Sequence, residues 1–191
     1  MEEELKQSQN LGANLVKVVF FGPESTGKSL LSEALAAHYH TVFVPEYSRV
    51  YAESKVAQNK MLTKADVLDI AAGQMQNENA ELKNANKLLI CDTDLLETKV
   101  YSEYYYDGFC PSVLKRYAVE NSYDLYFLCY IDTHWEADGI RDRPEHRLEL
   151  FKRFEKALQT HNKPYVTLKG SFEEKRSTCI RHIDQLLKQK T

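Results

Sequence analysis

The stretch GPESTGKS, residues 22–29, limits what this chain can fold into more than any other. It sets Gly22, Gly27, Lys28 and Ser29 in the pattern GxxxxGK[ST], between an apolar run and a helix-like run, as a phosphate-binding loop requires. The spacing has a physical reason. Two glycines let the backbone curl until successive N–H groups point at phosphate oxygens, and the positive end of the following helix favours the anion. Gly22, Pro23, Glu24, Ser25, Thr26, Gly27, Lys28, Ser29 and Leu30 are therefore expected to wrap a nucleotide's phosphates. Lys28 would reach the outer phosphates, and the Ser29 hydroxyl would face Mg²⁺.

Around this loop the chain alternates strand-like and helix-like patterns. LVKVVFF (15–21), TVFV (41–44), KLLIC (87–91), YDLYFLCYI (123–131) and PYVTL (164–168) are short apolar, β-branched or aromatic runs. Between and after them, apolar residues recur at helical spacing: Leu30, Leu31, Ala34, Leu35 and His38; Leu68, Ala71, Met75 and Leu82; Leu148, Phe151, Phe154 and Leu158; Ile180, Ile183, Leu186 and Leu187. Ser171 and Glu174 form a capping box before the last of these. Strand and helix repeated five times imply a parallel sheet covered by helices on both faces. A length of 191 residues suits one domain over 15–191, with a polar, flexible tail over 1–14.

Strand ends on one rim of such a sheet are where α/β folds place chemistry. Asp92, closing the third strand, is a candidate Mg²⁺ ligand, and Asp94 a candidate substrate contact. Glu46, just past the second strand, is either a substrate-directed carboxylate or an ordinary helix N-terminal acid, and Tyr47 and Arg49 follow it. After the fourth strand, Trp135, Asp138, Gly139, Arg141 and Arg143 read either as a solvated loop or as a lid whose arginines meet phosphoryl oxygens in pairs. The net charge of −3, without a Lys/Arg block, gives no stripe for nucleic acid. The MEEE start lacks a signal peptide's basic and apolar parts, and the run near residue 20 is too short for a bilayer, so a cytoplasmic protein with no membrane partner is expected. Cys91, Cys110, Cys129 and Cys179 form no CxxC pair and read as reduced, buried thiols.

GPESTGKS, PEYSRVY (45–51), CDTDLLETKVY (91–101) and HWEADGIRDRPEHR (134–147) together resemble the nicotinamide riboside kinase domain of NadR-type proteins, P-loop kinases often described as AAA-type ATPases. The resemblance runs from about residue 15 to the C-terminus. It implies a three-layer α/β/α P-loop NTPase with a five-stranded parallel sheet in the nucleoside-monophosphate-kinase order 2-3-1-4-5. It also implies ATP with Mg²⁺ as cofactors and phosphorylation of a ribosyl 5′-hydroxyl in NAD salvage. The adenylyltransferase and DNA-binding parts of long NadR proteins would have no room here. In the family's terms Glu46 and Arg49 match its Glu-Tyr-x-Arg element, Asp92 its strand-three acid, and Trp135, Asp138, Gly139 and Arg141 its lid.

Residues and resemblance together give an expected catalytic set of Lys28, Glu46, Asp94, Arg141 and Arg143, with Glu46 first and Asp94 second as base. The expected acceptor contacts are Glu46, Tyr47, Arg49, Asp94, Trp135 and Asp138; the expected metal ligands are Ser29 and Asp92. Pro45 stands where the family carries Trp, which leaves the base of the nucleoside open; Tyr47, Tyr51, Tyr104 or Trp135 could supply an aromatic wall. A kinase for another nucleoside or small alcohol, a nucleotide-hydrolysing switch and a nucleotide sensor also remain. No NKxD guanine motif supports the switch, since Asn162, Lys163, Pro164, Tyr165 lacks the Asp.

Overall fold

Side chains alternate along β1 (Val16–Phe21): Val16, Val18 and Phe20 enter one core, Val19 and Phe21 the other. A strand buried on both faces has this pattern, which is why its sequence is nearly all apolar. The computed structural model describes residues 2–8, 14–134 and 144–190. Within them β1, β2 (Phe43–Val44), β3 (Leu88–Asp92), β4 (Leu125–Cys129) and β5 (Tyr165–Leu168) form one parallel sheet in the order β2-β3-β1-β4-β5. This is the order the resemblance implies. Register pairs Phe20 with both Asp92 and Phe127, so the C-terminal ends of the three central strands finish side by side.

Helices cover both faces. On one, α2 (Lys28–Tyr39) and α8 (Phe172–Gln189) bring Leu31, Leu35, Cys179 and Ile183 against Val18, Phe20 and Phe127. On the other, α4 (Val67–Glu81), α5 (Leu95–Tyr105), α6 (Ser112–Glu120) and α7 (Arg147–Thr160) bury Met75, Leu96, Leu114 and Phe154 against Phe21 and Tyr126. The α3 helix (Tyr47–Ala57) lies outside this layer, packed on α4. The capping box at Ser171 and Glu174 forms as expected. All four cysteines are free and buried, and no helix among the described residues is long and apolar enough to cross a membrane.

Three expectations change. Leu30 and Leu148 stand in solvent, 65% and 48% exposed. Each points off the inward stripe of its helix, which Leu31 and Leu150 take instead. Residues 2–8 are not a free tail either. Glu2–Leu5 forms a helical turn, α1, which buries Leu5 completely, and Gln7 Nε2 donates to the buried Glu78 carboxylate at 2.7 Å. Isolated Leu5 after three glutamates offers no periodicity to read, so only the packing shows this docking. Residues 9–13 of the expected tail lie outside the described residues.

Candidate active site

The phosphate-loop sequence leaves β1 at the rim where β3 and β4 also end. Gly22 has φ 131°, and a Cβ there would come within 2.9 Å of the Cys129 carbonyl oxygen, so both backbone freedom and space demand glycine. Gly27, at φ 87°, turns the chain into α2, and Thr26 Oγ1 ties the loop by donating to the Pro23 carbonyl at 2.7 Å. The Lys28 ammonium, nearly buried, is folded back into the loop. It donates to the carbonyls of Gly22 at 2.7 Å and Pro23 at 3.2 Å, and lies 3.2 Å from Glu97 Oε1.

Three acidic side chains, Glu97, Glu46 and Asp92, act on this lysine. Asp92 ends β3 fully enclosed; its Oδ2 accepts from Ser29 Oγ at 2.5 Å, while buried Oδ1 finds no hydrogen-bond partner among the described residues. Burial, then the negative charge of Glu46, push its carboxyl up to about 6 against the pull of Lys28 and Arg49. A buried carboxylate oxygen without a donor beside a serine hydroxyl fits the few protein ligands that Mg²⁺ takes when phosphates and waters supply the rest. Glu46 holds the N-cap position of α3, yet its side chain makes no cap hydrogen bond; instead it accepts from Ser48 Oγ at 2.5 Å. The ordinary reading of Glu46 as a helix cap therefore lacks its hydrogen bond. Tyr47 donates its N–H to Gln74 Oε1 at 2.8 Å and lays its ring over Gly73 of α4. The rings of Tyr47 and Tyr51 lie 6.2 Å apart, and the Tyr51 hydroxyl is anchored on Asp66 at 2.9 Å.

Asp94 corrects an expectation. Its side chain caps α5, accepting the Glu97 N–H at 3.0 Å through Oδ1, and its Oδ2 accepts the Tyr126 hydroxyl at 2.7 Å. With both oxygens engaged and 1% exposure, it builds the fold under the site instead of meeting a substrate. Trp135, Asp138, Gly139, Arg141 and Arg143 lie outside the described residues.

Two further features belong to the site, and the first escapes a sequence reading. Glu97, in the first turn of α5, is 0% exposed; its Oε2 accepts the Gly22 N–H at 3.0 Å and its Oε1 faces Lys28. Its signal is a carboxylate on the helix face of Val100, Tyr101 and Tyr104, which the short run LLETKVY hides. Burial first, helped by Glu46 and Asp92, raises its carboxyl to about 8 despite Lys28. Lys28 shifts upward too: burial works against its charge, but Glu97, Glu46 and Asp92 outweigh it. Both shifts run upward: the neighbouring carboxyls favour charge on the ammonium, while burial and the other carboxyls disfavour it on Glu97. The second feature is Arg147, whose Nη2 donates to the Ser25 carbonyl and Nη1 to the Thr133 carbonyl, each at 3.0 Å, while Thr133 Oγ1 donates to the same Ser25 oxygen.

The family model described as AAA domain matches residues 17–175. The chain belongs to this family. The trifunctional NAD biosynthesis/regulator protein NadR of Salmonella typhimurium strain LT2 is 35% identical over 125 residues, and that of Escherichia coli K12 is 34% identical over the same length. Each match spans 65% of this chain and 30% of the relative, so the chain corresponds to under a third of those curated proteins. Among solved structures, a NadR protein in complex with NR superposes with a TM-score of 0.75 at 21% identity, over 91% of this chain and 52% of that one. A deoxyadenosine kinase from M. mycoides with bound dATP gives 0.56 at 16% identity, over 88% and 99%. At those identities the superpositions establish the shared fold.

Proposed function

We propose that the protein is an ATP-dependent kinase that transfers the γ-phosphoryl group of Mg-ATP to the 5′-hydroxyl of nicotinamide riboside, giving nicotinamide mononucleotide. The observation that carries this reading is Glu46: a carboxylate at a helix start that does not cap the helix and whose charge is felt at Lys28, Asp92 and Glu97. A kinase acceptor hydroxyl needs such a group beside the phosphate grip, and the match to NadR proteins points to the nicotinamide nucleoside as acceptor.

In this reading the loop N–H groups and Lys28 hold the phosphates. Ser29 and Asp92 hold Mg²⁺, which when bound neutralises charge on the outer phosphates. Glu46 orients the 5′-hydroxyl and accepts its proton, Ser48 fixes Glu46, and Arg49 offsets the local negative charge. Tyr47, held by Gln74 and Gly73, supplies the aromatic wall that Pro45 cannot. Arg141 and Arg143 are assigned to the transferring phosphoryl on motif alone, as are Trp135 and Asp138 to the acceptor. Catalysis is then mainly positioning and charge neutralisation. Placement in the cytoplasm belongs to the same proposal.

The test is an end-product assay with purified protein, Mg-ATP and a panel of nucleosides and small alcohols including nicotinamide riboside, read by mass. Nicotinamide mononucleotide is the expected product. A different phosphorylated acceptor refutes the substrate, and ADP release with no phosphorylated acceptor refutes the kinase in favour of a switch.

A further inference from the structure

We propose that Glu97 is an internal stand-in for nucleotide phosphate: it occupies Lys28 and the Gly22 amide while the loop is empty and must surrender Lys28 when a polyphosphate enters. The inference rests on the reading of the loop as a nucleotide site, and is independent of which acceptor is phosphorylated.

The geometry is that of an anion already in place. One carboxylate bridges both ends of the loop, with Oε2 on the Gly22 N–H at 3.0 Å and Oε1 3.2 Å from Lys28 Nζ. The ammonium donates to the Gly22 and Pro23 carbonyls and forms an ion pair with Glu97 Oε1, so its near partners are all protein groups. Turning to a phosphate takes Lys28 out of that ion pair. The Gly22 and Pro23 carbonyls are neutral; above about pH 8 Glu97 is the charged competitor, so its contact differs most between the empty and filled loop. Its own position is fixed from behind. Asp94 caps the Glu97 N–H and is held by the Tyr126 hydroxyl, so the carboxylate does not follow the lysine outward.

When Lys28 moves to a phosphate of metal-free ATP, Glu97 is left buried among Glu46, Asp92, the Tyr101 phenol and the Cys129 thiol, with only the Gly22 N–H to stabilise charge. An enclosed carboxylate in that company takes up a proton. Nucleotide binding then carries a proton with it. The sign follows from the raised carboxyl, which titrates near 8 in the empty loop. Above that pH the empty protein holds Glu97 ionised, and the filled one holds it neutral.

The experiment is calorimetric titration of ATP, with EDTA present to exclude Mg²⁺ from Asp92, into the protein at pH 8.5, in two buffers of different ionisation heat, for wild type, Glu97→Gln and Glu97→Ala. The wild type is expected to take up about half to one proton per nucleotide, and both variants none above background. Glu97→Gln keeps an acceptor for the Gly22 N–H but no charge, and is expected to bind ATP about fivefold or more tightly. Glu97→Ala, which also frees the Gly22 N–H, is expected to gain less. Wild-type binding without proton uptake overturns the proposal, as does a Glu97→Gln affinity equal to or weaker than wild type in a protein with an intact thermal transition. If Glu97→Gln does not fold, the wild-type proton count decides alone. Acceptor turnover takes no part in the measurement, so a wrong acceptor and a wrong role for Glu97 give different results.

Discussion

Replacing Gly73 by alanine tests whether Tyr47 is the acceptor's aromatic wall, because the change acts on that ring and on little else. An alanine Cβ would lie 2.1 Å from Tyr47 Cε1 and 2.4 Å from both Cδ1 and Cζ. Carbon contacts settle near ~3.5 Å, so the ring must retreat by more than ~1 Å. All three atoms belong to the rigid ring, so no flexible tip can absorb the clash. Overpacking costs about 1–3 kcal/mol, and alanine in place of glycine inside α4 returns about 1 kcal/mol. The fold should therefore lose at most about 2 kcal/mol, which thermal denaturation checks. The displaced ring should raise the KM for nicotinamide riboside about tenfold, in line with the worth of a cation–aromatic contact, and leave the KM for ATP within about twofold. Tyr47→Phe, which keeps the ring, should retain a near-wild-type KM. An unchanged acceptor KM in both Gly73→Ala and Tyr47→Ala would refute the reasoning.

Glu46→Gln should lower turnover by about 10² or more with acceptor affinity kept, since it removes the proton acceptor but not the shape; full turnover in steady-state assays would end that role. Arg141→Ala should cost about 10² in kcat if the residue meets the transferring phosphoryl, and a near-native rate would demote it to surface. Asp94 predicts a pH effect on stability. Burial lifts its carboxyl to about 6, so its contribution is fully present below the ordinary carboxylate range and is lost as pH rises through 6. Asp94→Asn, which preserves the cap, should gain stability relative to wild type between pH 4 and 7, by an amount on the order of 2–3 kcal/mol at most. Denaturant titrations across that range would show a constant difference if the carboxyl is not raised.

Much of the architecture was legible because the central strands, buried on both faces, are written as nearly unbroken apolar runs, and five strand-like runs alternate with helical spacing. The phosphate loop was legible for a different reason: its backbone path needs glycine at Gly22 and Gly27, and such requirements leave fixed letters. Carboxylates were harder. Asp92 and Asp94 look alike in CDTDLL, yet one leaves an oxygen without a donor at the rim and the other spends both oxygens inside the fold. Helix phase and a tyrosine thirty-two residues away decide between them. Glu97 was hidden likewise, since its partners come from a loop seventy-five residues earlier in the chain. Leu5 shows the same limit at the terminus, where one apolar side chain docks without any pattern around it.

The Ser25 carbonyl, at a residue with φ 57°, receives both Thr133 and Arg147. A single peptide oxygen thus joins three stretches of chain: the phosphate loop, the exit of β4 and the start of α7. Any rotation of that peptide to present its N–H differently must drag two other anchors with it, so the loop cannot relax alone. Fewer independent motions then separate the empty from the filled state, and the ordering cost of bringing the far side of the cleft to the phosphates is partly met before a nucleotide arrives. Thr133→Ala and Arg147→Ala should accordingly show coupled, non-additive effects in a double-mutant cycle on nucleotide affinity.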